Sequence, residues 1–60
     1  MPLSDIVDRV QRLLTYETEG RFPDGYDVDR AMMDDHLREQ PITCEIAMMI
    51  VANRQGSFEQ

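Results

Sequence analysis

The chain has 60 residues, with six arginines, no lysine and twelve acidic residues, which give a net charge of −6 and a pI near 4.4. This charge excludes a basic surface of the kind that binds the phosphates of DNA or RNA. A chain this short buries only about 60% of the surface that it exposes when unfolded, so we expect one small domain with a thin core. The apolar fraction of 42% still favours folding over disorder.

Cysteine content and apolar run lengths indicate the compartment. The single cysteine, Cys44, cannot form a disulfide within the chain, which is typical of a reducing environment. The longest apolar run, residues 46–52, is far shorter than the roughly 18 residues of a membrane span. Asp5 and Asp8 stand where a signal peptide would carry basic residues. We therefore expect a cytoplasmic protein that does not contact membranes.

The first third of the chain carries the clearest periodic pattern. Apolar residues recur at steps of three and four over residues 3–14, which is typical of one face of a helix. Asp5 precedes Arg9 by four positions, a spacing that pairs charges on a helix surface. Gly20 can adopt the left-handed conformation that ends a helix. The pattern predicts a helix over residues 4–18.

A turn separates this segment from the next. Residues 23–25 read Pro-Asp-Gly. In a tight turn the proline fixes φ, the aspartate side chain can cap the backbone, and the glycine is free to adopt a positive φ. Asp27 or Asp29 can then cap a second helix. Pro41 ends it, because the residue before a proline avoids the helical region. We predict this helix over residues 28–39.

The third segment is apolar on nearly all sides. It can begin at Pro41 or Thr43 and stops at Gly56, which predicts a helix over residues 42–54. In its first half, apolar residues also occur at every second position, a pattern typical of a strand, so a strand is the alternative interpretation. A helix that is apolar all round is either central in a core or shared with a second chain. Residues 57–60 are expected to form a frayed tail.

These elements predict an all-α fold in a single domain. The three helices form a three-helix domain, or a helical hairpin with a third helix added, and we expect dimerisation to complete the thin core. The predicted dimer interface lies on the third helix, at Ile46, Met49 and Ile50.

An acidic cluster at the turn resembles a calcium-binding loop only superficially. Asp24, Asp27 and Asp29 stand close together in the sequence. Counting from Asp24, however, Tyr26 occupies the third position and Asp35 the twelfth, where an EF-hand loop needs an oxygen ligand and a bidentate glutamate. Turn formation and helix capping account for the aspartates, so we expect no metal site.

A histidine next to two carboxylates is the other candidate for chemistry. His36 follows Asp34 and Asp35, and a histidine with a carboxylate is the minimal acid and base pair. The nearest nucleophile, Cys44, precedes an apolar stretch that would raise its pKa rather than activate it. A pocket of several hundred cubic ångströms does not fit inside so small a domain. We therefore expect no enzymatic activity and no cofactor.

One short string resembles a DNA-binding motif. Thr43, Glu45, Ile46 and Ala47, in the string PITCEIA, resemble the start of the second helix of helix-turn-helix proteins. That resemblance implies a DNA-binding regulator whose next helix reads the major groove. The chain offers no basic recognition helix after this segment, and its charge opposes contact with phosphates. A DNA-binding regulator is therefore the least favoured interpretation, and we expect no direct contact with nucleic acid.

The middle third of the chain holds most of the negative charge. Between residues 21 and 40 six carboxylates face three arginines, a local excess that can steer a basic partner. The methionine pairs at 32–33 and 48–49 each place a methionine away from the main apolar stripe, and methionine suits adaptable contacts as well as cores. The predicted partner-binding residues are the acids Asp24, Asp27, Asp29, Asp34 and Asp35 and the apolar residues Met32 and Met48.

Two interpretations of function follow. The first is a small acidic protein-binding module, an adaptor or inhibitor of the kind that phages and mobile elements encode, which docks on a basic or nucleic-acid-binding surface of a larger protein. The second is a self-assembling helical protein with a structural or regulatory role as a homodimer. The two interpretations are compatible, since a small inhibitor can also dimerise.

Overall fold

The fold is a three-helix domain. The structure is a computed structural model and describes residues 2–56, in which α1 spans Leu3–Glu19, α2 spans Tyr26–Glu39 and α3 spans Pro41–Gly56. The predicted all-α fold of three helices is confirmed, and the third segment is a helix rather than a strand. The predicted tail, residues 57–60, lies outside the described residues.

Gly20 caps the end of helix α1, as the sequence predicts. Gly20 has a φ of 72°, the left-handed conformation that residues other than glycine adopt only with strain. The backbone N–H of Arg21 then donates to the Tyr16 carbonyl oxygen at 3.1 Å. This bond satisfies one of the carbonyls that the helix end leaves without a partner, and it turns the chain out of α1.

The corner between α2 and α3 consists of a single residue, Gln40. Its N–H donates to the His36 carbonyl oxygen at 2.6 Å, and its own carbonyl accepts the N–H of Cys44 at 3.0 Å. Pro41 is the first residue of α3, a position at which the missing N–H costs nothing. This corner fixes the direction in which α3 leaves α2.

The core lies where the three helices meet. Helix α1 contacts both other helices, and its packing against α3 is the most extensive in the domain, whereas α2 and α3 touch least. On the core side of α3 stand two small residues, Cys44 and Ala47, both fully buried. Small side chains there let α3 approach α1 closely. The buried apolar residues are Ile6, Val7, Leu13, Met33, Cys44, Ala47 and Val51.

Candidate protein-binding surfaces

Three of the predicted partner-binding aspartates form an open acidic surface. Asp24, Asp27 and Asp34 are exposed, and within residues 2–56 none of them forms a salt bridge. Asp27 and Asp34 are seven residues apart on α2, so they share one side of the helix about 10 Å apart along its axis. We call these three residues the acidic surface.

Asp29, also predicted to bind a partner, is instead held between two helices. Its Oδ1 accepts a hydrogen bond from Nη1 of Arg9 at 2.5 Å, and its Oδ2 lies 3.5 Å from Nε of Arg12. Arg9 therefore bonds an acid of α2 rather than Asp5 of its own helix. The Asp29 side chain is only 18% exposed. This carboxylate joins α1 to α2, and its charge is already matched.

Asp35, the last of the predicted acids, pairs within its own helix. Its Oδ1 accepts a hydrogen bond from Nη2 of Arg38 one turn further along α2. Both side chains are exposed, and an exposed pair of this kind contributes little to stability. The pair leaves Asp35 accessible but reduces its contribution to the field around α2.

A groove opens where all three helices meet. It has a volume of about 360 Å³ and lies open at the surface. A groove of this kind does not need the interior space that so small a domain lacks. Its polar rim consists of Glu17, Arg30 and Asp34. Met48, one of the two predicted apolar contacts, lines the groove and is 39% exposed. The apolar lining includes Val10, Leu13, Leu14, Met33, Leu37 and Met48.

The rim of the groove is partly fixed by hydrogen bonds. Oε2 of Glu17 accepts the Tyr26 hydroxyl and Nη1 of Arg30, each at 2.8 Å. Nη1 of Arg30 also donates to the Tyr26 oxygen at 3.0 Å, and this hydrogen bond raises the pKa of Arg30 above its ordinary value. The rim therefore holds one arginine and two carboxylates, of which Glu17 forms the salt bridge with Arg30 and Asp34 forms none within residues 2–56.

A second apolar surface runs along the side of α3 that faces away from the core. Ile42, Ile46 and Met49 are 66%, 44% and 69% exposed and follow one another at helical spacing. We call these three residues the outer α3 face. Of the predicted dimer interface, Ile46 and Met49 lie on this face. Ile50 lies at its edge, where it is partly buried and packs against the core.

The remaining candidates lie away from the groove. Met32 is partly buried and does not line it, whereas the neighbouring Met33 is buried and forms part of its lining. His36 is buried too, and its Nε2 has no hydrogen-bond partner among the described residues. Cys44 is a free, fully buried cysteine, and its burial raises the pKa of the thiol. In the structure both His36 and Cys44 are core residues.

Metal-binding side chains do not gather in the described part of the chain. Among residues 2–56 no group of three or more histidine, cysteine, aspartate or glutamate side chains is arranged to hold a metal ion. Over the same residues, none of the three helices is long and apolar enough to cross a membrane.

No family model matches this chain, and no curated protein or solved structure matches it either. The structure defines its class as a small all-α domain of three helices.

Sequence reasoning missed the groove because its walls come from three separate segments. The pattern of each helix gives no sign that its residues meet those of the other two. Only the packing of the helices brings together Leu14 of α1, Leu37 of α2 and Met48 of α3. The sequence signal for the groove is Met48, an apolar side chain that the helical pattern places away from the main stripe of α3.

Proposed function

We propose that this chain is a small acidic protein-binding module, an adaptor or inhibitor that docks on a basic or nucleic-acid-binding surface of a larger protein. The observation that carries the proposal is the acidic surface, since Asp24, Asp27 and Asp34 are exposed and have no salt-bridge partner within residues 2–56. Exposed acids such as Asp27 and Asp34 on one side of α2, with Asp24 in the turn before it, attract a basic partner and accelerate its association.

The arrangement of the other charges supports the same proposal. Arg9 and Arg12 engage Asp29, and Arg30 engages Glu17, so these arginines are matched within the domain. Of the six carboxylates of the middle third, Asp24, Asp27, Asp34 and Glu39 form no salt bridge within residues 2–56, and three of these four make up the acidic surface. We place the module in the cytoplasm, because its lone cysteine is a free, buried thiol.

The test compares two triple variants with the same net charge. Asp24→Asn, Asp27→Asn and Asp34→Asn together neutralise the acidic surface, while Asp5→Asn, Asp8→Asn and Glu19→Gln neutralise three exposed acids of α1. Each set changes the net charge from −6 to about −3. Proteins captured from the native host by the wild type and the α1 variant, but not by the acidic-surface variant, are the candidate partners.

Association kinetics then decide the matter. With a captured partner, we expect the acidic-surface variant to associate about tenfold more slowly at low salt, with a weaker salt dependence, and the α1 variant to associate nearly as the wild type does. Equal rates for the two variants, or a partner without a basic surface, would contradict the proposal.

A homodimer through the outer α3 face is the second candidate. It is favoured by the exposure of Ile42, Ile46 and Met49, which form an uncharged stripe on a strongly acidic chain. Two copies meeting there would bury apolar surface, with the exposed Glu45, one helical turn from Ile42 and Met49, at the edge of the contact. Sedimentation equilibrium at micromolar concentration tests it, and we expect Ile46→Gln to dissociate the dimer while Val28→Gln, on the exposed surface of α2, does not. A wild-type mass of 7.0 kDa would exclude the dimer.

A further inference from the structure

We infer that the groove between the three helices is the pocket that receives the partner, and that its occupant is a bulky apolar side chain next to an arginine or lysine. This inference rests on the proposed function and names the partner chemistry that such a site would select. The groove, rather than the outer α3 face, is assigned this role because its apolar lining has at its rim a carboxylate, Asp34, that forms no salt bridge within residues 2–56.

The size and lining of the groove fit an anchoring side chain. A volume of about 360 Å³ lies at the lower end of ligand pockets, which span about 300–1,000 Å³. Leu13 and Met33, which are buried, form part of its lining, while Leu37 and Met48 are each 39% exposed beside them. An apolar side chain entering between Leu37 and Met48 would cover apolar surface that is now in contact with water.

The charge of the rim identifies the group beside that side chain. Glu17 and Arg30 form a salt bridge at 2.8 Å, and Asp34 is the carboxylate of the rim that forms no salt bridge within residues 2–56. Asp34 also belongs to the acidic surface, which continues along α2 to Asp27. A cation adjacent to the apolar anchor would meet Asp34, and further cations of the partner would meet the rest of the acidic surface.

A synthetic helical peptide with leucines on one face and arginines on the other is a suitable probe, and the same peptide with glutamate in place of arginine is its control. Titration of the folded protein is followed by the NMR shifts of its methyl groups. We expect saturable shifts at Val10, Leu14 and Met48 of the groove with the arginine peptide. The methyl groups of Ile42 and Ile46, on the outer α3 face, should not move.

Adjacent methionines supply a matched pair of variants. Met48→Gln should weaken binding of the arginine peptide by about tenfold, whereas Met49→Gln, on the outer α3 face, should change it by less than about twofold. Asp34→Asn should weaken binding more than Asp27→Asn and should reduce its salt dependence. Circular dichroism of each variant confirms that the helices are retained.

The outcomes separate this inference from the proposed function. Shifts centred on Ile42 and Ile46, equal losses in the two methionine variants, or no saturable binding would overturn the assignment of the groove. Backbone shifts at the acidic surface without methyl shifts in the groove would overturn the groove but leave the acid-steered module intact. Equal binding of the glutamate peptide at the groove would overturn the cationic part of the inference and count against a basic partner.

Discussion

Arg9 on α1 and Asp29 on α2 form an ion pair with a separation of 2.5 Å between Nη1 and Oδ1. Both side chains of the pair are largely shielded from water. The Nε of Arg9 is buried and has no hydrogen-bond partner among the described residues. Asp29 also approaches Arg12. One carboxylate therefore holds two arginines of the neighbouring helix, and α2 is attached to α1 by charge as well as by apolar contact.

The first prediction concerns this ion pair. Asp29→Asn should lower the free energy of unfolding by about 2 kcal/mol, because Arg9 would keep its buried charge and lose its carboxylate partner. Asp35→Asn is the control, since its pair with Arg38 is exposed and should change stability by less than about 0.5 kcal/mol. Urea denaturation measures both. Similar losses in the two variants would show that Asp29 has no special role between the helices.

The second prediction compares one chemical change at a buried and an exposed site. Ile6 is fully buried in the core, whereas Ile42 lies on the outer α3 face. Removing one methylene by Ile6→Val should cost about 1 kcal/mol, and Ile42→Val should cost less than about 0.5 kcal/mol. Thermal unfolding followed by circular dichroism at low protein concentration gives both values. If Ile42→Val were the more damaging change, the assignment of the core side of α3 would be incorrect.

How far the sequence predicts the fold depends on how local each signal is. The end of α1 could be predicted because Gly20 acts through its own backbone conformation. The role of Asp29 could not, because an acid at a helix start looks like a cap until its partners on another helix are known. On α3 the small residue Ala47 faces the core and the large Met49 faces outward. A helix that is apolar on all sides gives no periodic signal for that choice.

The third prediction uses two glycines as a matched pair. An added Cβ meets no atom within 4 Å at either Gly20 or Gly25, so neither substitution causes a clash. Gly20→Ala should still destabilise the domain by about 1 kcal/mol, because its φ of 72° is strained for alanine. Gly25→Ala, at a φ of −79°, should be neutral or should stabilise the domain by about 0.5 kcal/mol, because alanine lowers the conformational entropy of the unfolded chain. Chemical denaturation of both variants checks the difference, and equal effects would contradict it.

The fourth prediction concerns alkaline pH. Burial raises the pKa of the Cys44 thiol in the folded state. As the pH rises past about 8.5, the thiol therefore ionises in the unfolded chain before it ionises in the folded domain. Unfolding then releases a proton, and stability falls as the pH rises from the unfolded pKa towards the folded one. Below that pH range the thiol is protonated in both states, and its full contribution to the stability of the fold is present. Cys44→Ala should lose less stability than the wild type over the same pH interval, although it starts from a lower value because of the cavity.

Denaturation curves at successive pH values measure this difference in slope, and parallel curves for wild type and variant would contradict it. Thiol-reactive dyes give an independent check. The buried thiol should react with them only when the domain opens, so the labelling rate should rise steeply with urea.

The most extensive helix pairing joins α1 to α3, the two elements that lie farthest apart along the chain. Neighbouring helices alone cannot reproduce that interface. A fragment ending at Glu39 would keep the Arg9 and Asp29 pair but lose Cys44, Ala47 and Val51, nearly half of the buried apolar residues. A fragment starting after Gly20 would keep only the weakest pairing, α2 with α3. We therefore expect the domain to unfold in one cooperative step that involves the whole segment from α1 to α3, and we expect neither two-helix fragment to fold on its own.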